Sequence, residues 1–408
     1  MTESIRRLAQ ENAPCYIYSH DKLAAQADTL REMFPAYDFL FSVKANPFPP
    51  VVKALAALGI GADAASAQEV LLARECGMEK ENIFFSAAGK TDAALELAWD
   101  DCRIIADSLG EVARIGEVAR IGALAQKRGA AAEIGIRINP VFSMDGGQSS
   151  ASKFGIDEED LPRLRDMLAS LPVQICGIHV HLRSQNLDCD VLGRYYENCL
   201  RLARRVKELL HCRMDYINFG GGVGIAYDES RETPLSIAAL RRYADRVAKE
   251  NADTLRARLM IESGRFLTCQ SGTYYLKVVD KKVSHGKTYV IVENCMNGLQ
   301  KPAIAVMLRH AVGGAPLSPQ EPMFTSEYAF PITAYGSETE TETVDIVGNL
   351  CCAQDVLAEN FTGPALAVGD LIAVGNAGAY ACTLTAQRFS SHLPPKEFLV
   401  DGSGHIMA

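Results

Sequence analysis

Short apolar runs alternate with amphipathic stretches along residues 39 to 265. The run 39–43, rich in aromatic and β-branched residues, and short apolar runs such as that in 258–265 predict buried strands. Between them, apolar residues recur three and four positions apart, most clearly over 189–210 and 111–129, which predicts helices. About eight strand–helix pairs fit into roughly 250 residues, so the pattern predicts an α/β fold with a (β/α)8 barrel of the TIM type.

The rhythm changes after Arg265. Residues 273–294 predict two strands around a His-Gly turn, and further β-like runs follow at 341–349, 370–376 and 397–402. We therefore expect a barrel over 20–268 and a second, mostly β domain built from 1–19 plus 269–408. The duplicated EVARIG at 111–122 is too short to indicate a repeat architecture.

Composition narrows the classes of partner. The net charge is 41 − 50 = −9, which argues against general binding of nucleic acid or anionic membranes. No run is long and apolar enough for a membrane span, and the N-terminus has no apolar signal core. Twelve cysteines in a chain of this length, without a predicted signal peptide, predict a cytoplasmic protein with reduced thiols. The adjacent Cys351 and Cys352 suit neither a disulfide nor a CxxC zinc site, and we expect no metal.

Polar residues and glycines stand at the carboxyl ends of the predicted strands, where barrel enzymes carry their chemistry. They are Lys44, Asp63, Ser86, Arg137 with Asn139, His181, Gly220–Gly222 and the run Glu262–Arg265. By itself, the position of Lys44 also suits a lysine that extends its ammonium into water. The whole set suits pyridoxal 5′-phosphate (PLP), which needs a lysine, a group that stacks on its ring, backbone N–H donors and an anionic partner for its ring nitrogen.

Eight motifs, in order along nearly the whole chain, resemble those of the alanine-racemase-fold PLP decarboxylases. This family includes the diaminopimelate, ornithine and arginine decarboxylases, and the pattern is most like the bacterial diaminopimelate enzymes. The motifs are FSVKANP (41–47), GADAAS (61–66), SKFGI (152–156), GIHVHLRSQ (177–185), NFGGGVGI (218–225), ESGR (262–265), GNLCCAQD (348–355) and GNAGAY (375–380).

The resemblance implies roles for the barrel residues. Lys44 would hold PLP as a Schiff base, His181 would stack on the ring, and Glu262 would pair with the pyridinium nitrogen. Strand alternation alone does not choose between His181 and His179, because both lie on one face. The remaining cofactor contacts implied are Asp63, Ser184, Gly220, Gly221, Gly222, Ser263, Gly264, Arg265 and Tyr380.

For the second domain, the resemblance implies that Cys351 comes from the neighbouring subunit and returns a proton to the substrate's α-carbon. It further implies a head-to-tail homodimer with shared active sites. Arg265, Asp355 and Tyr380 would contact the small-molecule substrate. Cys352 equally suits a small buried apolar residue.

Three departures from the family pattern concern the substrate. Cys352 replaces a glutamate that binds the distal ammonium of diaminopimelate, Lys301 replaces an arginine, and Arg183 replaces a glycine. A thiol cannot form that ion pair, so we expect decarboxylation of another amino-acid derivative. A citryl-diamino acid of siderophore biosynthesis fits these changes, with a citryl carboxylate bound by Arg183 and Lys301. Alternatives are a diaminopimelate, ornithine or lysine decarboxylase, an amino-acid racemase, and a non-catalytic homologue.

Overall fold

The computed structural model describes residues 1–121, 131–312 and 330–407. The chain divides into two compact units. The barrel unit comprises Ala27–Ile225 and Leu235–Gly264, and the β unit comprises Met1–Gln26, Ala226–Pro234 and Arg265–Ala408. Three elements open the chain: α1 (Glu3–Asn12), β1 (Cys15–Ser19) and α2 (His20–Met33).

Parallel strands form the closed ring of the barrel unit. Their order is β2, β3, β4, β5, β6, β8, β9 and β10, and β10 pairs with β2 to close it, while the short β7 pairs with β6. The ring confirms the predicted TIM-type barrel. The strands are β2 (Asp38–Ser42), β3 (Gly61–Ala64), β4 (Ile83–Phe85), β5 (Arg103–Ala106), β6 (Ala132–Asn139), β7 (Ile156–Asp157), β8 (Val173–His179), β9 (Tyr216–Asn218) and β10 (Arg258–Ser263).

Helices follow most of the barrel strands. They are α3 (Pro49–Ala57), α4 (Ala67–Glu75), α5 (Asp92–Ala98), α6 (Leu109–Ile121), α7 (Leu161–Leu168), α8 (Cys189–Leu210) and α9 (Ile237–Asp253). Asp188 caps α8 by accepting hydrogen bonds from the first backbone N–H groups of that helix. The helix predicted over 111–129 corresponds to α6, and residues 122–130 lie outside the described residues. Among the described helices, none is sufficiently long and apolar to span a membrane.

Large apolar side chains fill the barrel interior, including Leu40, Phe84 and Tyr216. The Tyr216 ring fits because its neighbours are small: a Cβ added at Gly177 would approach the ring to 2.6 Å. The interior is therefore a packed core, and the chemistry must lie at the strand ends.

An antiparallel-rich sheet dominates the β unit, as the sequence predicted. Its strand order is β13, β16, β11, β12, β14 and β15, and β1 joins it between β11 and β17. Its remaining elements are α10 (Arg265–Thr268), β11 (Gly272–Ser284), β12 (Lys287–Val292), α11 (Gln300–Val312), β13 (Ile332–Tyr335), β14 (Thr341–Gly348), β15 (Val356–Pro364), β16 (Leu371–Val374) and β17 (Lys396–Val400). The predicted hairpin at His285-Gly286 is confirmed as β11–β12.

Candidate functional site

Lys44 lies in a single 3-10 turn that follows β2. Its Nζ is 3.0 Å from Oδ2 of Asp63, at the end of β3. Asp63 is fully buried, and its carboxylate also accepts hydrogen bonds from Ser42 Oγ at 3.0 Å and Ser86 Oγ at 2.5 Å. The Lys44 side chain remains 45% exposed. The fold therefore aims this amine at the strand ends and leaves it accessible to a small molecule.

A buried carboxylate, Glu262, ends the neighbouring strand β10. Its Oε1 accepts a hydrogen bond from Asn218 Nδ2 at 2.8 Å and lies 3.2 Å from His179 Nε2. Burial alone would raise the pKa of Glu262, but His179, Lys44 and His181 favour the charged form and hold that pKa well below its usual value. Glu262 is thus an anion at neutral pH, which is what a protonated ring nitrogen requires.

The two histidines of the HVH motif have different surroundings. His179 is buried within β8 and faces Glu262, whereas His181 lies beyond the strand end and is partly buried. The backbone N–H of Gly221 donates to His181 Nδ1 at 2.9 Å, and Ser184 Oγ is 3.5 Å from Nε2. Burial and the Arg137 guanidinium lower the pKa of His181 to about 3. His181 is therefore a neutral, flat ring, suited to stacking.

The glycine triplet after β9 packs against this histidine. Gly220 and Gly222 have positive φ values of 65° and 138°. A Cβ at Gly220 would collide with the carbonyl oxygen of Val180, and one at Gly221 would come within 3.2 Å of His181 Cε1. Gly220 and Gly221 donate their N–H groups to Asn218 Oδ1 and His181 Nδ1. Within the described residues, the N–H group of Gly222 is the one of the three left for an anion, which can approach closely because no side chain intervenes.

The described residues fit PLP. Besides the lysine, the carboxylate, the neutral imidazole and the glycine triplet, the barrel unit holds a buried hydroxyl, Ser263 Oγ, without a hydrogen-bond partner in the described part of the chain. A buried unpaired donor is costly unless a ligand satisfies it, and a phosphate oxygen would do so. Gly264 follows directly after β10 at the same rim.

A buried charge network behind the rim did not follow from sequence reasoning. Arg137 Nη2 donates to the carbonyl oxygen of His181 at 3.4 Å, and its Nη1 lies 3.7 Å from Asp107 Oδ1. The backbone N–H of Asp107 donates to Glu111 at 2.8 Å, and Glu111 pairs with the fully buried Lys90 at 2.9 Å. The sequence did contain one indication of this network. Asp107 lies at the carboxyl end of β5, as Asp63 lies at the carboxyl end of β3.

In the β unit, two buried cations flank one aromatic ring. The Arg265 guanidinium carbon lies 5.0 Å and Lys301 Nζ lies 5.6 Å from the centroid of Tyr380. Arg265 Nη1 donates to Tyr227 Oη at 2.6 Å, and Lys301 Nζ to the carbonyl oxygen of Ala379 at 3.5 Å. Within the described ranges, no carboxylate forms an ion pair with either cation. Burial and the Arg265 charge lower the pKa of Lys301 to about 7. The cluster suits an anionic ligand.

Residues 348–355 form the cysteine loop. Cys351 is exposed, and its Sγ lies 3.6 Å from Ser390 Oγ, while Cys352 Sγ donates to Gln354 at 3.0 Å. Ser390, which has a φ of 55°, was missed because no motif marks it. Both carboxylate oxygens of Asp355 accept backbone N–H groups, so they are occupied within the unit.

Arg183 has a partner that its motif did not reveal. Its guanidinium binds Asp145 in bidentate fashion, at 2.9 and 3.1 Å. The ion pair with Asp145 occupies the guanidinium N–H groups of Arg183 that we expected to bind a carboxylate of the substrate. In each unit, then, the fold gathers its own set: Lys44, Asp63, His181, Ser184, Gly220–Gly222, Glu262 and Ser263 in the barrel unit, and Arg265, Lys301 and Tyr380 in the β unit.

Comparison with known proteins gives a consistent result. The family model described as pyridoxal-dependent decarboxylase, pyridoxal binding domain, matches residues 20–269. The L-glutamyl-[BtrI acyl-carrier protein] decarboxylase of Niallia circulans is 34% identical over 403 residues, covering 95% of this chain and 88% of the relative. The diaminopimelate decarboxylase of Zymomonas mobilis is 29% identical over 413 residues, covering 97% and 89%. The crystal structure of diaminopimelate decarboxylase from Helicobacter pylori complexed with L-lysine shares the fold, with a TM-score of 0.78 at 24% identity and coverage of 97% and 93%.

Proposed function

Since the chain belongs to the pyridoxal-dependent decarboxylases, we propose that it releases carbon dioxide from an amino-acid derivative whose far end carries no ammonium. The observation that carries this proposal is the cluster of Arg265 and Lys301 around Tyr380, two buried cations with no carboxylate partner in the described residues. An ammonium would be repelled there. Cys352, where diaminopimelate decarboxylases have glutamate, cannot supply the missing negative charge.

Two substrate classes meet this requirement. A citryl-diamino acid, as in siderophore biosynthesis, brings carboxylates that the cations can bind. The Niallia circulans relative is named for a glutamyl group on an acyl-carrier protein. Because the α-carboxylate must be free to leave as carbon dioxide, such a group would be linked through its side-chain carboxyl and would bring no distal ammonium. The buried cations favour the citryl class, and the 34% identity over 95% of the chain favours the carrier-bound class.

The geometry of the barrel unit supports the following proposed roles. PLP supplies an electron-withdrawing ring that stabilises the negative charge left on the α-carbon when carbon dioxide departs. Lys44, oriented by Asp63, holds the cofactor, and the neutral His181 ring, supported by Ser184, stacks on it. The anionic Glu262 keeps a proton on the ring nitrogen.

The glycine triplet anchors the cofactor phosphate. Ser263 and Gly264 of the same unit add hydrogen bonds to that anchor. Such an anchor would hold the cofactor in one position relative to a bound substrate.

We assign the return of a proton to the α-carbon to Cys351, acting in the active site of a second copy of the chain. Its exposed thiol supports this assignment, because a general acid must be able to reach the substrate. The active form would therefore be a homodimer that shares its sites.

A substrate panel tests the proposal through carbon dioxide release from the PLP-loaded protein. The panel contains a citryl-diaminopropionate, citryl-ornithine, carrier-bound L-glutamate, meso-diaminopimelate, ornithine and lysine. We expect one of the first three to exceed diaminopimelate by at least about 100-fold in kcat/KM, since a missing ion pair at a buried site costs several kcal/mol. Efficient turnover of diaminopimelate would refute the proposal, and racemisation without carbon dioxide would indicate a racemase.

The pH dependence of a carboxylate-bearing substrate should report Lys301. With its pKa lowered to about 7 by burial and by the Arg265 charge, Lys301 is a cation below that pH and neutral above it. We expect kcat/KM for a citryl substrate to fall above about pH 7, by up to roughly tenfold per unit.

Lys301→Arg is the matched variant, because arginine stays protonated at every accessible pH. Its pH profile should lose this fall, while ionisations elsewhere in the enzyme and substrate affect both proteins alike. The ratio of the two profiles isolates Lys301. An unchanged ratio from pH 6 to 9 would show that Lys301 does not bind the substrate's carboxylate.

A further inference from the structure

The side chain of Asp355 joins two segments that are far apart in the sequence. Its Oδ2 accepts the backbone N–H of Leu350 at 2.9 Å, directly before Cys351. Its Oδ1 accepts the backbone N–H of Met296 at 2.7 Å, in the segment 294–301 that leads to Lys301. Asp355 is only 2% exposed, so water does not compete strongly for these bonds.

The surroundings of this carboxylate fix it further. Burial and the neighbouring Asp355 carboxylate raise the pKa of Cys295 well above its usual value, so that thiol stays protonated beside Asp355. Gly348 packs so tightly against Asp355 Oδ2 that a Cβ at this position would collide with it. The Asp355 backbone also accepts from Gly348 at 2.7 Å and donates to Cys352 at 3.1 Å. The carboxylate therefore has one available position.

We propose that Asp355 is a positioning residue, which clamps the cysteine loop to the segment 294–301 and so sets the place from which Cys351 acts. The family spacing suggested a substrate contact, but a carboxylate whose two oxygens accept backbone N–H groups has little left to offer a ligand. Its relevance to catalysis depends on the proposed role of Cys351; the clamp itself does not.

Asp355→Asn is the informative variant. The amide keeps one acceptor oxygen but turns an NH2 group towards a backbone N–H donor, so one of the two segments must be released. We expect hydrogen exchange of the peptides around Leu350 and Met296 to accelerate by about tenfold or more. In the dimeric holoenzyme, kcat should fall by roughly 10- to 100-fold as Cys351 is displaced, while KM changes by less than about threefold.

Asp345→Asn is the matched control. Asp345 is also buried in the β unit, accepts the backbone N–H of Asn360 at 2.9 Å and pairs with Lys287 at 2.5 Å. Asn360 and Lys287 both lie outside the cysteine loop, so this variant should leave exchange at Leu350 and Met296 unchanged. If both variants accelerate exchange at Leu350 and Met296 equally, the β unit is destabilised as a whole, and this result would overturn the proposal.

Exchange in the unaltered protein provides a second route if Asp355→Asn does not fold. Protection of both the Leu350 and Met296 amides supports the clamp, and rapid exchange at either one refutes it. Because exchange requires no substrate, it separates the two proposals. A chain that releases no carbon dioxide from any substrate but protects both amides would retain the clamp and lose the proposed function.

Discussion

Replacement of Lys44 by alanine is expected to lower decarboxylation by at least about 10³-fold, the order lost when a covalently acting side chain is removed. The Lys44 amine lies at the end of β2, 3.0 Å from a fully buried carboxylate. A second amine at this place is not expected, because Lys90, a buried lysine of the same unit, is paired with Glu111 and with backbone carbonyl groups. The variant should also lose the visible absorption of lysine-bound PLP.

Borohydride reduction followed by peptide mapping measures the attachment directly. In the unaltered protein the label should fall on Lys44, and in Lys44→Ala it should be absent. Lys53 provides the control, since it is exposed on α3 only nine residues away, and Lys53→Ala should retain both label and rate. A label on another lysine in Lys44→Ala would contradict the assignment.

The architecture and the rim of the barrel were accessible from sequence for a physical reason. Parallel strands joined by helices must place all their carboxyl ends on one side, so Lys44, Asp63 and Glu262 could be assigned to a common rim without coordinates. The glycine triplet could also be assigned from sequence, because positive φ values and close packing against His181 require residues without a side chain.

Partners that depend on long-range packing were not accessible. Arg183 binds Asp145, which is 38 positions away in the sequence. The residues next to Arg183 and Asp145 in the sequence do not predict this pairing. The donors to Asp355 include a backbone amide 59 positions away, which turns an expected substrate contact into an internal clamp. Sequence marked Lys301 as a replacement for arginine, but its lowered pKa arises from burial and from the nearby Arg265.

Glu262→Gln is expected to lower kcat by about 10²- to 10³-fold, the usual cost of removing one preorganised electrostatic partner. The amide keeps the shape of the side chain and an acceptor for Asn218 Nδ2, which donates at 2.8 Å. It loses the negative charge that would hold a proton on the ring nitrogen. The fold should survive, because a neutral amide costs less to bury than a carboxylate.

The control is Glu262→Asp, which preserves the charge and shortens its reach, and it should retain more activity than Glu262→Gln. Both variants keep Lys44, so both should still bind PLP covalently, which separates loss of electron withdrawal from loss of the cofactor. Absorbance titration with PLP and single-turnover carbon dioxide release measure the two quantities independently. If Glu262→Gln works within a few-fold of the unaltered enzyme, the ring nitrogen is not held by this carboxylate. The lowered pKa of Glu262 would then reflect only its neighbours in the barrel unit, His179 foremost, and not a role towards the cofactor.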